Sequence, residues 1–407
     1  MPQSHRSTSA TPPSPHRPDR RGFLQSGLAV AGATWAASGA YGWQPGEADT
    51  GLIIHSGEPM NAEPQLRELV KSWVTPISQF YIRSHAPVPR VDLNTYRLSI
   101  EGMVDRPLQL SLQQLKTRFG SHSIFATMTC AGNRRSEHSA VKEVSGVQWQ
   151  SGAIGNANWG GPRLSDVLKA AGVQAGAKHV WFEGLDEVQR DEGVIPFGAS
   201  VPIEKVMNDS ATAPGVLLAH EMNNAQLSPD HGYPLRTVVP GYIGARSVKW
   251  LGKVIVSDQP SDNYYLAKAY KLVTESTTKE QAAAAAPLYE YVMNAVTCAP
   301  EPGAATAPGA VEVRGYALPP GRPGAMLRQV EVSADNGTTW TQASLHSPRQ
   351  LYCWQLWSAR VRVTPQTTHL LVRATDSDGN AQPQQVDWNL KGYMFNAWHK
   401  TPIQVNG

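Results

Sequence analysis

Short apolar runs set the pattern of the central part of the chain. LSIEG at 98–102, SIFATMTC at 123–130, HVWFEGL at 179–185, GVLLAHEM at 215–222, LRTVVPG at 235–241 and SVKWLGKVIVSD at 247–258 are rich in β-branched or aromatic residues. Most of them end at turn formers, which predicts strands. Between them, LSDVLKAAG puts Leu164, Val167, Leu168 and Ala171 at i, i+3, i+4 and i+7, the spacing of an amphipathic helix that Gly172 would end. Residues 45–92 are rich in Pro, Asn and Gly without long periodic segments, so they read as irregular structure wrapped on a core. The mixture predicts an α+β domain.

Near residue 280 the pattern changes. EQAAAAAPLYE and then APEPGAATAPGA at 299–310 are low in complexity, and Pro287 stops any helix the alanines begin. VEVRGYAL, MLRQVEVSADNGTTW, LYCWQLWSARVRV and HLLVRATDSDGN follow, with Asn336-Gly337 as a hairpin turn, and predict an all-β sandwich. The expected division is a leader over 1–40, a mixed domain over 41–285 and an all-β sandwich over 286–407.

The chain has 407 residues, 41% apolar and 17% charged, as folded proteins do. Its net charge of +3 comes with no dense basic run beyond the N-terminus, which argues against nucleic-acid binding. Arg20 and Arg21, followed by Gly22, Phe23, Leu24 and a modestly apolar stretch, resemble a twin-arginine export signal cleaved near Ala40. No stop-transfer pattern follows, so the expectation is a periplasmic protein without a membrane span in its mature form. That pathway exports proteins already folded, often around a cofactor. An oxidising compartment would permit a Cys298–Cys353 disulfide, which the sequence leaves open.

Only three cysteines occur, and Cys130 in FATMTCAGNRRSEH belongs to no CxxC zinc site or disulfide framework. Three readings stand for it. It is a buried structural thiol, a nucleophile near the positive potential of Arg134 and Arg135, or a soft ligand to a metal whose other donors come from an organic cofactor.

TCAGNRR resembles the cysteine motif of the sulfite oxidase family, in which that cysteine binds molybdenum held by a pterin dithiolene. YIRSHAPVP, GVQWQSGAIGNANWGGPRLSDVL, FEGLD and HGYPLRTVVPGYIGARSVKWLGKV resemble family segments in family order, and VEVSADNGTTW and WNLKGYMFNAWHK resemble its dimerisation domain. The resemblance covers about Ile77 to Lys400. It implies an α+β fold with a molybdopterin-binding domain followed by the immunoglobulin-like dimerisation sandwich, and a homodimer.

The resemblance also implies roles. Cys130 is the expected molybdenum ligand. Tyr81, Arg83, His85, Asp186, His231, Arg236, Ser247, Val248 and Lys249 are the expected pterin-binding residues, in which Arg and Lys would grip the phosphate. Arg83, Arg135, Tyr270, Trp149 and Lys391 are the expected substrate residues. Lys391 stands where vertebrate members have arginine, which keeps the charge and loses the bidentate contact. Each cation about 4 Å from a small oxyanion contributes on the order of 4 kcal/mol at an effective dielectric of about 20, before desolvation is subtracted. Several are therefore needed.

The activity implied is that of a periplasmic sulfite dehydrogenase with a molybdenum-molybdopterin cofactor. No CxxCH occurs, and the family's additional haem domain has no room before Ile77, so no haem is expected in this chain and a separate c-type cytochrome is the expected acceptor. A periplasmic molybdenum reductase of methionine sulfoxide, or another S-oxide, is the enzymatic alternative. An exported β-sandwich binding protein is the alternative without catalysis.

Overall fold

The computed structural model describes residues 51–191, 193–210 and 213–406. The expected export signal over 1–40 lies outside them. Two larger sheets, with smaller ones beside them, organise the N-terminal half. One has five strands in the order Gly198–Pro202, His179–Gly184, Leu251–Ser257, Leu98–Gly102 and Leu108–Leu110. Leu251–Ser257 and Leu98–Gly102 run parallel, and the other neighbours are antiparallel. The helices Leu112–Arg118, Leu164–Ala171 and Ile203–Met207 bury Leu115, Leu164, Val167, Leu168 and Val206 in the core of this sheet. Gly172 ends the predicted helix at φ +76°, where a side chain would also meet Asp105.

The second sheet carries the site. Ser121–Thr129 and Ile154–Pro162 pair antiparallel over their whole lengths. Ser121–Thr129 is partly exposed at its start and buried from Ala126 onward, so it delivers Cys130 into the interior. Sequence reading did not predict Ile154–Pro162, because IGNANWGGP has few β-branched residues. Its glycines serve close packing instead. A Cβ on Gly155 would sit 2.5 Å from the Phe80 ring, and one on Gly161 would sit 2.0 Å from the Leu218 carbonyl oxygen.

GVLLAHEM, read as one strand, is two short ones in different sheets, Leu217–Ala219 and Glu221–Met222. The stretch read as irregular holds a three-stranded sheet of Leu52–Ser56, Asn61–Pro64 and Ile82–Arg83. These strands are too short to show a period. After the short capped helix Lys279–Ala284, two sheets of four and five strands pack as the predicted sandwich. Asn336 and Gly337 both adopt positive φ in the connection between Leu327–Ser333 and Thr341–Gln342. Cys298 and Cys353 are both buried free thiols. Among the described residues, no helix is long and apolar enough to cross a membrane.

The sandwich is clamped to the Cys130 loop by Arg134. This fully buried residue, at φ +69°, makes two bonds to Glu137, of 2.6 and 2.8 Å, and reaches Asn294 Oδ1 and the Ala397 carbonyl at 2.8 Å each. The Tyr316 hydroxyl donates to the Ser151 carbonyl at 2.7 Å, and Trp73 and Trp354 exchange indole bonds to each other's carbonyls. Removing one side of a buried charged network leaves the rest unpaired. Arg134→Ala is expected to lower unfolding stability by about 3 kcal/mol in denaturant melts. Arg314→Ala, which loses the exposed pair with Glu312, is expected to leave the denaturation midpoint essentially unchanged.

Candidate molybdenum-pterin site

Cys130 follows directly from the end of its strand, and a rail at 149–153 holds the turn after it. The Cys130 amide donates to the Ala153 carbonyl at 2.9 Å, the Arg134 amide to the Gln150 carbonyl at 2.6 Å and the Ser136 amide to the Trp149 carbonyl at 3.0 Å. Asn133 Oδ1 accepts from the Ala153 amide at 3.0 Å, and the Gly132 amide lies 3.4 Å from Cys130 Sγ. The thiol thus faces a cleft with a fixed backbone behind it.

That cleft encloses about 660 Å³ of empty space, its open mouth included. Of the expected residues it brings together Tyr81, Arg83, His85, Cys130, Asp186, Arg236, Ser247, Lys249 and Tyr270 in its wall. Arg236 and Lys249 are the charged floor. Arg236 donates to the carbonyls of His231 and Ser247 at 2.9 and 3.1 Å and lies 3.1 Å from Met128 Sδ. Lys249 Nζ donates to Ser84 Oγ and to the Asp230 carbonyl, both at 2.8 Å. Burial pushes Arg236 down to about 10, and burial with the neighbouring Arg236 pushes Lys249 down to about 7. Burial raises the Asp186 carboxyl, which accepts from the Phe197 amide at 3.1 Å.

Five expected residues lie outside that wall. His231 sits behind Arg236, donates from Nε2 to the Ile77 carbonyl at 3.3 Å and is pushed down to about 3 by burial and by Lys249 and Arg236. Val248 commits its amide and its carbonyl to Thr237. Trp149 is fully buried beside His55, and its Nε1 has no partner. Arg135 approaches from the side of the sandwich, where Nε donates to the Lys391 carbonyl at 2.9 Å and Nη1 to the Val147 carbonyl at 2.7 Å. Lys391 itself is exposed, so its backbone, rather than its ammonium, meets Arg135.

A row of side chains joins Arg135 to the cleft. Its guanidinium carbon lies 5.2 Å from the centre of the Tyr393 ring, which stacks on Tyr270 at 5.3 Å, and the Tyr270 hydroxyl is 3.2 Å from His85 Nε2. Burial and the charges of Arg83, Lys249 and Arg190 push His85 well below its ordinary pKa, so its ring is neutral. Burial raises Tyr270, which stays a phenol. Sequence reading missed Tyr393, and also Arg246, a buried guanidinium that bonds the Leu288 and Tyr265 carbonyls and packs 5.6 Å from the Tyr270 ring. Both stand inside segments whose resemblance was visible, and neither carries a signal of its own in one sequence.

The donor set fits a molybdenum-pterin group. Among the described residues no cluster of three His, Cys, Asp or Glu could bind a metal by itself, so the metal's remaining donors must come from a cofactor. Among the described residues Arg83, Arg236 and Lys249 make no close ion pair with a carboxylate, although Asp186 and Asp230 share the cleft wall, and this excess of positive charge suits an anionic ligand such as a pterin phosphate. Arg236 and Lys249 would hold that phosphate, Asp186 would accept from an N–H of the pterin, and Cys130 would ligate the metal.

The chain matches the oxidoreductase molybdopterin binding domain family over residues 85–265 and the Mo-co oxidoreductase dimerisation domain family over 285–406. It is 42% identical over 364 residues to the sulfite oxidase of Gallus gallus, covering 86% of this chain and 77% of that one. It is 40% identical over 367 residues to the mitochondrial sulfite oxidase of Mus musculus, covering 87% of this chain and 66% of that one. The solved structure of the sulfane dehydrogenase SoxCD from Paracoccus pantotrophus is similar at a TM-score of 0.71 and 25% identity, over 86% of this chain and 88% of that one. A lone cysteine thiol facing a cation-rich cleft, carried on these two matched domains, places the chain in the sulfite oxidase family of molybdenum enzymes.

Proposed function

We propose that the chain is a sulfite dehydrogenase, converting sulfite and water to sulfate with release of two electrons and two protons. The observation that carries this reading is the pair of cationic anchors, Arg83 in the cleft wall and Arg135 beside it, which have no carboxylate ion-pair partner among the described residues and flank Cys130 and Tyr270. The 42% identity to a sulfite oxidase favours sulfite over the sulfane of the more distant SoxCD. In the same reading the protein works in the periplasm as a homodimer and passes single electrons to a c-type cytochrome. The Arg20-Arg21 pair ahead of an apolar stretch supports export, and the match over 285–406 supports the dimer.

When bound, the molybdenum-pterin group supplies the two-electron redox chemistry. The chain's own residues bind and orient. Carbonyl bonds to Nε and Nη1 fix the plane of Arg135, and Gly132, Gly146 and Gly392 pack so closely against the guanidinium and its stem that a side chain at Gly132 would lie 2.5 Å from Nη2. A rigid fork loses little entropy on meeting an oxyanion. Tyr270, a protonated phenol beside a neutral His85, donates a hydrogen bond to a sulfite oxygen and keeps the anion in register.

Sulfite-dependent reduction of ferricytochrome c, compared with ferricyanide and oxygen, tests the reading. Reduction without oxygen uptake, abolished in Cys130→Ala, is expected, and no sulfite oxidation by molybdenum-loaded protein with any acceptor would reject it. In the same assay Tyr270→Phe is expected to lower kcat at least about tenfold at unchanged molybdenum content. A rate within about twofold of wild type would remove the role of the hydroxyl.

Lys249 adds a pH signature. In the cofactor-free protein its depressed pKa means that it is mostly uncharged above about 7, and an anion binds best to the charged form. Affinity for sulfate, which does not titrate in this range, is expected to fall by up to about tenfold per pH unit between about pH 7.5 and 9. Lys249→Met is expected to flatten that slope in calorimetric titrations.

A further inference from the structure

The strand Asn61–Pro64 is buried along its whole length, although it precedes the matched molybdopterin-binding domain, which begins at residue 85. Asn61 and Glu63 alternate with Ala62 and so point to one face of the strand. Each is almost completely buried, and each ends on a different part of the site.

Asn61 Oδ1 accepts from Arg83 Nη1 at 3.1 Å and from the Ser84 amide at 3.2 Å. Its Nδ2 donates to Ser56 Oγ and to the Pro59 carbonyl, both at 2.9 Å, which fixes the amide with its oxygen toward Arg83. Ser84 in turn accepts from Lys249, so one amide oxygen orients the anchoring arginine and the residue that steadies the lysine.

Glu63 holds the rail beneath Cys130. Its Oε1 accepts from the Gln150 amide and from His55 Nε2, both at 2.7 Å, and its Oε2 accepts from the Gly152 amide at 2.8 Å. Gly152 permits this approach, since a Cβ there would lie 2.7 Å from the Pro64 carbonyl and 3.0 Å from Glu63 Oε2. Flanking and between these two amides, the carbonyls of Trp149, Gln150 and Ala153 receive the amides of Ser136, Arg134 and Cys130. A carboxylate that takes two neighbouring backbone N–H groups and a histidine fixes a loop more firmly than neutral acceptors do.

We propose that Asn61 and Glu63 are positioning residues on one strand: Asn61 sets the guanidinium of Arg83 for the anion, and Glu63 sets the loop that presents the Cys130 thiol. The inference rests on the reading of Cys130 as metal ligand and Arg83 as anion anchor. Two distinct signatures follow from one strand. Loss of the Asn61 oxygen weakens anion affinity and spares the thiol, and loss of the Glu63 charge loosens the thiol and the metal and spares anion affinity.

The test uses full-length protein carrying Asn61→Ala, Asn61→Asp or Glu63→Gln. Asn61→Ala is expected to weaken sulfate binding by cofactor-free protein about tenfold, and to raise KM for sulfite in loaded protein by a similar factor with kcat per molybdenum within about twofold. Asn61→Asp keeps an acceptor for Arg83 and is expected to restore affinity to within about threefold of wild type, even where its melting temperature falls as far as that of the alanine variant. Glu63→Gln is expected to speed labelling of Cys130 by an aromatic disulfide reagent in cofactor-free protein at least about fivefold, and to lower molybdenum retention during dialysis. Cys298 and Cys353 stay silent because burial pushes both thiols up, Cys353 to about 12. Should Glu63→Gln not accumulate, His55→Phe removes one donor from the same carboxylate and keeps the ring contact with Trp149, and is expected to give a smaller change in the same direction.

Lower melting temperatures in Asn61→Ala and Glu63→Gln with unchanged sulfate affinity, KM and thiol reactivity would overturn the proposal and leave the strand a stabilising element only. The sulfate and labelling arms need neither cofactor nor turnover, so they decide the proposal even if wild type fails to oxidise sulfite. That failure would count against the functional reading alone.

Discussion

Buried positive charge that makes no close ion pair among the described residues is the constraint around which the N-terminal half is arranged. Arg236 and Lys249 are hydrogen-bonded to carbonyl oxygens, a hydroxyl and a thioether and lie over the rings of Trp159 and Trp250, with Asp186 and Asp230 too far from Lys249 for a close ion pair. Neutral acceptors tolerate such groups and do not neutralise them, and both are correspondingly easier to deprotonate. A dianionic ligand would resolve the imbalance. The fold accordingly keeps an open cleft at this place, with a soft thiolate donor at its wall.

Such a site is useful only if its parts keep their places while an anion enters and leaves. The two adjacent arginines divide that work. Arg134, in the left-handed conformation, turns toward the sandwich and ties the loop to Asn294 and Ala397, while Arg135 turns toward Tyr393 and the cleft. The sandwich is thereby part of the site's scaffold as well as the segment matched to a dimerisation domain. From the opposite end of the sequence, Asn61–Pro64 reaches the same loop.

Much of this was legible in the residues. Three strands of the five-stranded sheet, His179–Gly184, Leu251–Ser257 and Leu98–Gly102, and the helix Leu164–Ala171 follow from local apolar patterning, and Gly172 ends that helix as a residue without a side chain can, whereas the short strands Gly198–Pro202 and Leu108–Leu110 carry no such pattern and are not predicted by it. The division between mixed and all-β halves follows from turn spacing. The family and its cofactor were legible from TCAGNRR and the ordered segments around it, a signal of identity and not of periodicity. Local signals failed where long-range packing decides. Ile154–Pro162 is a central strand because Phe80 and Leu218 fill the space its glycines leave, contacts that no window of sequence contains. Lys391 and Arg135 meet through a backbone carbonyl, which a side-chain reading cannot see. Glu63 looks like any acidic residue until three donors converge on it.

One cysteine thiol and a cation-rich floor together fit a molybdenum-pterin group. The most direct measurement is a crystal structure of the cofactor-loaded protein with anomalous data collected for molybdenum. One metal peak bonded to Cys130 Sγ and a phosphate contacting Arg236 and Lys249 are expected. A metal bound away from Cys130, or a phosphate lodged away from both cations, would contradict that fit.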